Sequence, residues 1–440
     1  MSEPISPVAS TAYSRRLAWW WIPSLYFVEG LPNVVVATVS VLMYKSLNIS
    51  NTDIALYTSL LYLPWVIKPL WSPFVDNLRT KRWWTVSMQF LLGLGMVGVA
   101  FSLVTEHYFV ASLCFFWVMA FCSATHDIAA DGFYLLAVPE SDQAWFVGIR
   151  STCYRMAMIA GQGLLVILVG RLEGSLAPQH AWLIGFLVLG VIFFMAGTYH
   201  YVVLPRPVAD VNRAAHSPAE LLKSFSETFA SFFRKPGIAS ALAFLLFYRF
   251  AEAQLTKVIS LFLRDPRENG GLGLTTDEVG WIYGTAGVGM LLTGGILGGM
   301  VASRQGLRYW LWWMVAAINV PNAVYIFLSQ AQPENLFVIG FCVAIEQLGY
   351  GFGFTAYMLY MLYLARGEHE TAHYAICTGF MALGMMLPGM LSGKLQELLG
   401  YQWFFLWVMV ATIPSFLVCM LVKVDPSFGS SRAVKEEPAP

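Results

Sequence analysis

Charge is what this chain is short of. Of its 440 residues only 12% are Asp, Glu, Lys or Arg, about half of the roughly 25% with which a soluble domain covers its surface. A water-facing globule is therefore excluded, and lipid must cover much of the exterior. The 26 basic and 26 acidic side chains cancel, which removes nucleic acid as a partner. Cysteine is scarce too. All six (Cys114, Cys122, Cys153, Cys342, Cys377, Cys419) fall in apolar stretches, where they read as small hydrophobic fillers and form no disulfide framework. The seven histidines have no ligand spacing, so no metal or other cofactor is expected. No A-x-A cleavage signal follows the first apolar run, which is too long for a signal-peptide core and reads as an uncleaved span.

What the chain has is apolar length. It is 58% hydrophobic and 15% aromatic. Segments of about 20 residues or more, each able to cross a bilayer core, lie at 19–43, 54–75, 83–105, 109–136, 145–169 and 181–204, and again at 238–263, 277–302, 309–330, 335–365, 371–396 and 402–423. The expected architecture is an all-α membrane protein of twelve transmembrane helices in two six-helix bundles, 19–204 and 237–423. Residues 1–18, the linker 205–236 and a disordered tail 424–440 would be cytoplasmic. In the linker, Ser217-Pro218-Ala219-Glu220 has capping-box spacing. The following stripe of Leu221, Leu222, Phe225, Phe229, Phe232 and Phe233 predicts an amphipathic helix on the inner leaflet that ties the halves together.

Basic residues set the orientation. With the N-terminus inside, 16 Lys and Arg fall on cytoplasmic segments and five (Lys45, Arg171, Arg264, Arg267, Lys394) outside, which places both termini in the cytoplasm of a bacterial inner membrane. Two inside turns match. Ser72-Pro73-Phe74-Val75-Asp76 runs into Arg79, and Gly299 to Ser303 runs into Arg304 and Arg308. Both resemble the major facilitator loop signature G-x-L-A-D-R-x-G-R, once per half. An acid with following arginines makes a charge clasp that breaks when two halves rock, so Asp76, Arg79, Arg304 and Arg308 are candidate gating residues.

Ionisable side chains within apolar spans mark function by default. Here they are Glu29; Asp127 and Asp131, one turn apart on one helix face; Arg150 and Arg155 on the next span, as their expected counter-charges; Arg249 and Glu252, spaced to pair along one helix; Lys257; and Glu346. Glu29 and Glu346 lack a local partner, and an unpaired acid in apolar surroundings favours its neutral form, as a proton carrier needs. His126, about 100° around the helix from Asp127, reads either as a titrating group or as a hydrogen-bonded interior residue. Trp65, Trp71, Tyr248, Tyr350, Tyr357 and Tyr360 offer faces on which a sugar would stack, or serve as bulk core.

The residues also resemble a known family, the AmpG-like muropeptide permease branch of the major facilitators, which includes acetyl-CoA transporters. The likeness runs from about residue 20 to 420. It is carried by Gly30-Leu31-Pro32, by LYLPWVIKPLWSPFVD (Leu61 to Asp76) and by SATHDIAADGFY (Ser123 to Tyr134). Tyr248-Arg249-Phe250-Ala251-Glu252 and the stretch from Glu346 through Thr371-Ala372-His373-Tyr374-Ala375 extend it. Glu29 and His126 stand where the family has small or amide residues, and Arg249/Glu252 where it tends to Lys/Asp. The resemblance implies the major facilitator fold, with Glu29, Asp127, Asp131, Arg249, Glu252 and Glu346 facing a central cavity and substrate entering the cytoplasm with protons.

The function expected is a proton-coupled importer of a polar, anionic, sugar- or peptide-containing solute, working as a monomer by alternating access. Protons would be the coupling ion. Arg249 with Arg155 or Arg150 would hold a substrate carboxylate, and Glu29, Asp127 and Glu346 would carry protons. His126, Lys257, Tyr248 and Tyr357 are further pathway candidates. Efflux by the same fold is the alternative. An intramembrane transferase using His126 and Asp127 would need a donor-binding motif, which the sequence lacks, and a sensor would need a soluble output domain.

Overall fold

The computed structural model describes residues 15–208, 210, 218–367, 370–426 and 428; the side chains of 73, 74, 76, 77, 140, 141, 143–145, 147, 218–225 and 371 are not described. Among these residues the chain is helical, with no strand. In lipid a backbone must satisfy its own hydrogen bonds, and a helix does so within one segment.

Ten helical stretches are long and apolar enough to cross a membrane, against twelve expected, and the difference lies in two places. The second segment is not one helix. It runs as Asn51–Leu60, turns at Leu61 and Tyr62, and resumes as Leu63–Leu78; with Pro64 at the restart and Pro69 and Lys68 following, neither piece qualifies alone. The last stretch, Ala372–Leu421, is 50 residues long. It is two helices joined by a kink at Gly400 (φ 71°, ψ 166°), a conformation that only glycine adopts cheaply, and it covers the stretches expected as the eleventh and twelfth segments.

Three segments are locally unwound into π-helix, at Val35–Val39, Ile159–Leu165 and Gly280–Gly287, a form that concentrates at functional sites. The seventh segment is broken outright. Ile238–Phe247 and Phe250–Arg264 are separated at Tyr248 and Arg249 (φ −108°, ψ 21° at Arg249). A carbonyl next to such a break needs a new donor, and the Tyr357 hydroxyl donates to Leu245 O at 2.6 Å.

The hydrophobic core shows how the halves meet. At the end opposite the chain termini one continuous cluster takes side chains from both halves, among them Val39, Leu42 and Ile54 with Leu255, Phe262 and Phe404. Toward the termini it divides in two. One cluster lies in the N-terminal half, around Trp21, Phe133 and Phe146, and the other in the C-terminal half, around Phe244, Tyr248 and Tyr357. Polar contacts seal the shared end. Lys45 pairs with Asp265, Asn51 Nδ2 donates to Asp265 Oδ2 (3.1 Å) and Gln396 Oε1 (2.8 Å), and Arg264 pairs with Glu173 at 3.8 Å. The halves therefore share one apolar core at this end, closed by polar contacts, while toward the other end their apolar cores part.

The linker helix Pro218–Phe233 is anchored to the C-terminal half by its last turn. Phe232 is fully buried against the protein, stacked on Phe380 and beside His373, and Ser231 Oγ lies 2.9 Å from His373 Nε2. Lys235 donates to the carbonyls of Leu364 and Arg366. At the other end of the stripe the side chains of Leu221, Leu222 and Phe225 are not described, and Ser217, residues 1–14 and the tail from 429 lie outside the described residues. At the first matched turn the Asp76 side chain also lies outside them. Arg79 stacks over Trp83 (5.7 Å), and Arg304 and Arg308 are exposed. Asp210 caps the third helix, accepting from Lys81 N (2.7 Å) and Arg82 N (3.0 Å), which ties this turn to the start of the linker.

Candidate functional site

Between the halves lies a cavity of about 330 Å³, within the range of small-molecule sites. The N-terminal half contributes Asn33, Tyr62, Trp65, Lys68, Asp127, Tyr154 and Gln162 to its wall; the C-terminal half contributes Arg249, Thr256, Tyr283, Gln347 and Tyr350. Amides, hydroxyls, aromatic faces and both signs of charge are thus presented to one space.

Asp127 faces the cavity as expected, but its partners are not the arginines of the fifth segment. Trp65 Nε1 donates to Asp127 Oδ2 at 3.0 Å, and Lys68 Nζ stands 3.7 Å from the same oxygen. Both come from the broken second segment. Asp131, one turn further on, pairs with Arg150 and accepts from the Tyr26 hydroxyl at 3.0 Å. The Arg150 guanidinium lies over the rings of Tyr26 and Tyr134 at 4.1 and 4.2 Å, a cation held between two π faces. This group sits toward the parted end. Arg155 takes neither acid: its Nη1 lies 3.2 Å from where a Cβ on Gly295 of the eighth segment would be, so it crosses to the other half.

Arg249 and Glu252 make no direct ion pair or hydrogen bond among the described residues, although their charges still act on each other. The break at Tyr248 and Arg249 removes the regular i,i+3 geometry that pairing required. The Arg249 guanidinium instead donates to the Tyr350 hydroxyl and lies over Phe354 at 4.8 Å. Glu252 Oε1 accepts from Thr256 Oγ1 at 2.7 Å. Glu346 Oε2 accepts from Tyr325 OH (3.1 Å) and Gln347 Nε2 (3.0 Å). Glu29 is buried, with Oε2 unpartnered among the described residues. Glu29, Glu252 and Glu346 are not among the residues of the cavity wall itself.

His126 points away from the cavity. Its Nε2 lies 2.9 Å from Gln89 Nε2, Gln89 Oε1 lies 2.8 Å from His200 Nδ1, and His200 Nε2 lies 3.0 Å from Ser24 Oγ. That is a buried polar chain through four segments of one half, and it makes His126 an interior hydrogen-bonded residue. Tyr248 and Tyr357 are likewise core: their hydroxyls donate to Gly353 O (2.9 Å) and Leu245 O. Lys257 bridges the halves, donating to Ala37 O and Thr58 Oγ1, both at 3.1 Å. Of the aromatic faces offered for stacking, Trp65 and Tyr350 reach the cavity, while Tyr248, Tyr357 and Tyr360 pack in the C-terminal core.

The residue missed by pairing the charges in sequence order was Lys68. Its signal was present, a lone cation between Pro64 and Pro69 in an apolar run, under the same rule that singled out the acids. Thr256 and Gln347, neutral and unremarkable in sequence, had no such signal.

With this geometry in view, known proteins can be compared. A profile of the Major Facilitator Superfamily matches residues 24–369. A putative transporter of Rickettsia conorii, named AmpG 4, is 25% identical over 411 residues, covering 90% of this chain and 94% of the relative. The anhydromuropeptide permease of Escherichia coli K12 is 24% identical over 407 residues, covering 91% and 78%. Among solved structures, a D-xylose-proton symporter superposes with a TM-score of 0.72 at 12% identity, over 95% of this chain and 100% of that one, a likeness of fold.

Proposed function

This chain belongs to the major facilitator superfamily and is a multi-pass membrane transporter, and from that premise we propose that it imports a polar, anionic, muropeptide-like solute together with protons across the bacterial inner membrane, its termini in the cytoplasm. The observation that carries the reading is the facing of Lys68–Asp127 and Arg249 from opposite halves across one cavity. A solute bound by both halves lowers the free energy of the arrangement that encloses it, which is what alternating access requires. Arg249, already held against Tyr350, keeps donors for a carboxylate, and Arg155 is the fifth-segment arginine left to help it, since Arg150 is taken by Asp131. Tyr62, Trp65 and Tyr350 supply faces for sugar rings. The likeness to an anhydromuropeptide permease supports the solute class.

Protons would enter through Glu29, Asp127 and Glu346. One charge moving down 100 mV releases about 2.3 kcal/mol, enough for a roughly fiftyfold solute gradient. The test is uptake of labelled anhydromuropeptide by energised inside-in vesicles carrying the protein. Accumulation that collapses with a protonophore is the expected result; accumulation untouched by it removes proton coupling, and no uptake removes the solute class.

A further inference from the structure

A second hollow, of about 570 Å³, opens on the outer surface of the C-terminal half, apart from the cavity between the halves. Its walls are Phe247 and Phe250 of the seventh segment, Leu383, Leu387 and Leu391 of the eleventh, and Trp407 beyond the Gly400 kink. Phe247, Leu387, Leu391 and Trp407 are exposed apolar side chains on membrane-crossing stretches, so the groove faces lipid. The backbone shapes it. Phe247 and Phe250 flank the break at Tyr248 and Arg249, and Pro388 interrupts the helix opposite. Gly384 lets the two segments meet at the deep end, where an added Cβ would lie 3.1 Å from the carbonyl oxygens of both Leu245 and Leu246.

The groove runs the depth of one leaflet. Phe250 and Leu383 stand at the middle of the apolar runs 238–263 and 371–396. Lys394, the one charged residue in the wall, lies two residues before Gln396, which takes part in sealing the closed end. From Leu383 to Lys394 is eleven residues, or about 16 Å of helix, against about 15 Å of hydrocarbon in a single leaflet.

The charge of Lys394 is left over. Glu397 is spaced to pair with it along the helix, but Glu397 is taken by the other half, accepting from Thr52 N at 3.0 Å and from the Thr52 hydroxyl. Lys394 is exposed and has no ion-pair partner among the described residues. The polar groups deeper in the groove are satisfied by each other: Gln254 Nε2 donates to Phe250 O at 3.2 Å, and Gln254 Oε1 accepts from Trp407 Nε1 at 2.9 Å. Water would find no partners there. Lipid tails are as apolar as leucine, so shape alone would not distinguish this groove from the bulk bilayer. An anionic headgroup on Lys394 would, because a lysine lays its stem on apolar surface and carries its ammonium to the headgroup layer.

We propose that this groove is a binding site for an anionic phospholipid of the leaflet on the sealed side, with one acyl chain against Phe247, Phe250 and Leu387 and the phosphate on Lys394. The chain then stands behind the break that presents Arg249 to the cavity, and the lipid joins the seventh, eleventh and twelfth segments.

The test uses the full-length protein in phosphatidylcholine nanodiscs doped with phosphatidylglycerol that carries a photoactivatable diazirine on its acyl chain, with adducts mapped by mass spectrometry. Adducts should concentrate on residues 383–391 and 247–250, about fivefold above those at Leu94, an equally exposed position on the third segment. A phosphatidylcholine probe should label the groove about fivefold less than the phosphatidylglycerol probe, the attraction one lysine exerts at a membrane surface. Lys394→Gln should erase that preference and Lys394→Arg should keep it, while Leu391→Trp should reduce groove labelling by both probes. Phosphatidylglycerol should raise the Tm of wild type but not of Lys394→Gln. Equal labelling of the groove and Leu94, or a headgroup preference that survives Lys394→Gln, overturns the proposal. So does a Leu391→Cys variant, in a background without native cysteines, that links two copies in the bilayer, since the groove would then be covered by a second copy of the chain.

Discussion

Lys257 of the seventh segment donates its ammonium to the Thr58 hydroxyl of the second, 3.1 Å away on the other half of the molecule. The same nitrogen donates to Ala37 O and lies 5.1 Å from the centre of the Tyr62 ring. Its side chain is buried, and no carboxylate pairs with it among the described residues. A desolvated amino group is thus held entirely by neutral groups of the opposite half. Those groups can serve it only while the two halves stay together at the closed end.

Lys257→Met should loosen that closure. The variant removes two hydrogen bonds between the halves, each worth about 0.5–1.5 kcal/mol, so the open arrangement should gain at least about fivefold in population. Labelling of an Asn33→Cys variant, in a background without native cysteines, by a membrane-impermeant maleimide from the outer side measures it. An unchanged labelling rate would show that Lys257 is a passive filler.

Lys68 and Asp127 should behave as a unit. Both are largely buried, 19% and 16% exposed at the side chain, so removing either leaves an uncompensated charge, at about 3–5 kcal/mol for a fully buried pair and less here. Lys68→Gln alone should abolish uptake, and adding Asp127→Asn should restore structure, seen as recovery of Tm, but not transport. Additive losses of Tm in the double variant would break the pairing.

Gly284 and Gly163 hold the halves in backbone contact. A Cβ on Gly284 would lie 1.9 Å from Gln162 O, and one on Gly163 would lie 2.5 Å from Thr285 Oγ1. Both sites fall in the π-helical stretches of the fifth and eighth segments. Overpacking of this kind costs about 1–3 kcal/mol. Gly284→Ala should lower Tm and impair uptake, whereas Gly289→Ala, with nothing within 4 Å of its added Cβ, should do neither.

The chain His126, Gln89, His200 and Ser24 should contribute to stability without shaping the pH profile. Gln89→Leu strands two buried ring nitrogens, each at about 1–3 kcal/mol. The expected result is a lower Tm and an uptake pH profile of unchanged shape. A displaced profile would return His126 to the proton pathway.

The amino-acid sequence by itself determined which stretches enter lipid, because hydropathy over about 20 residues is a local sum. It also determined which side chains would be expensive there: Glu29, Asp127, Asp131, Arg150, Arg249, Glu252 and Glu346 were all legible as charge within apolar spans. Only tertiary structure decided their partners. Spacing along one helix assigned Arg249 to Glu252, yet a two-residue break turns the arginine to Tyr350. Chain order assigned the fifth-segment arginines to both acids of the fourth, yet Asp127 takes Lys68 from a segment whose prolines break and redirect it. The physical reason is geometric. A helix fixes its own neighbours at 100° steps, but where a helix breaks, and which face it turns to another, depends on packing against residues hundreds of positions away.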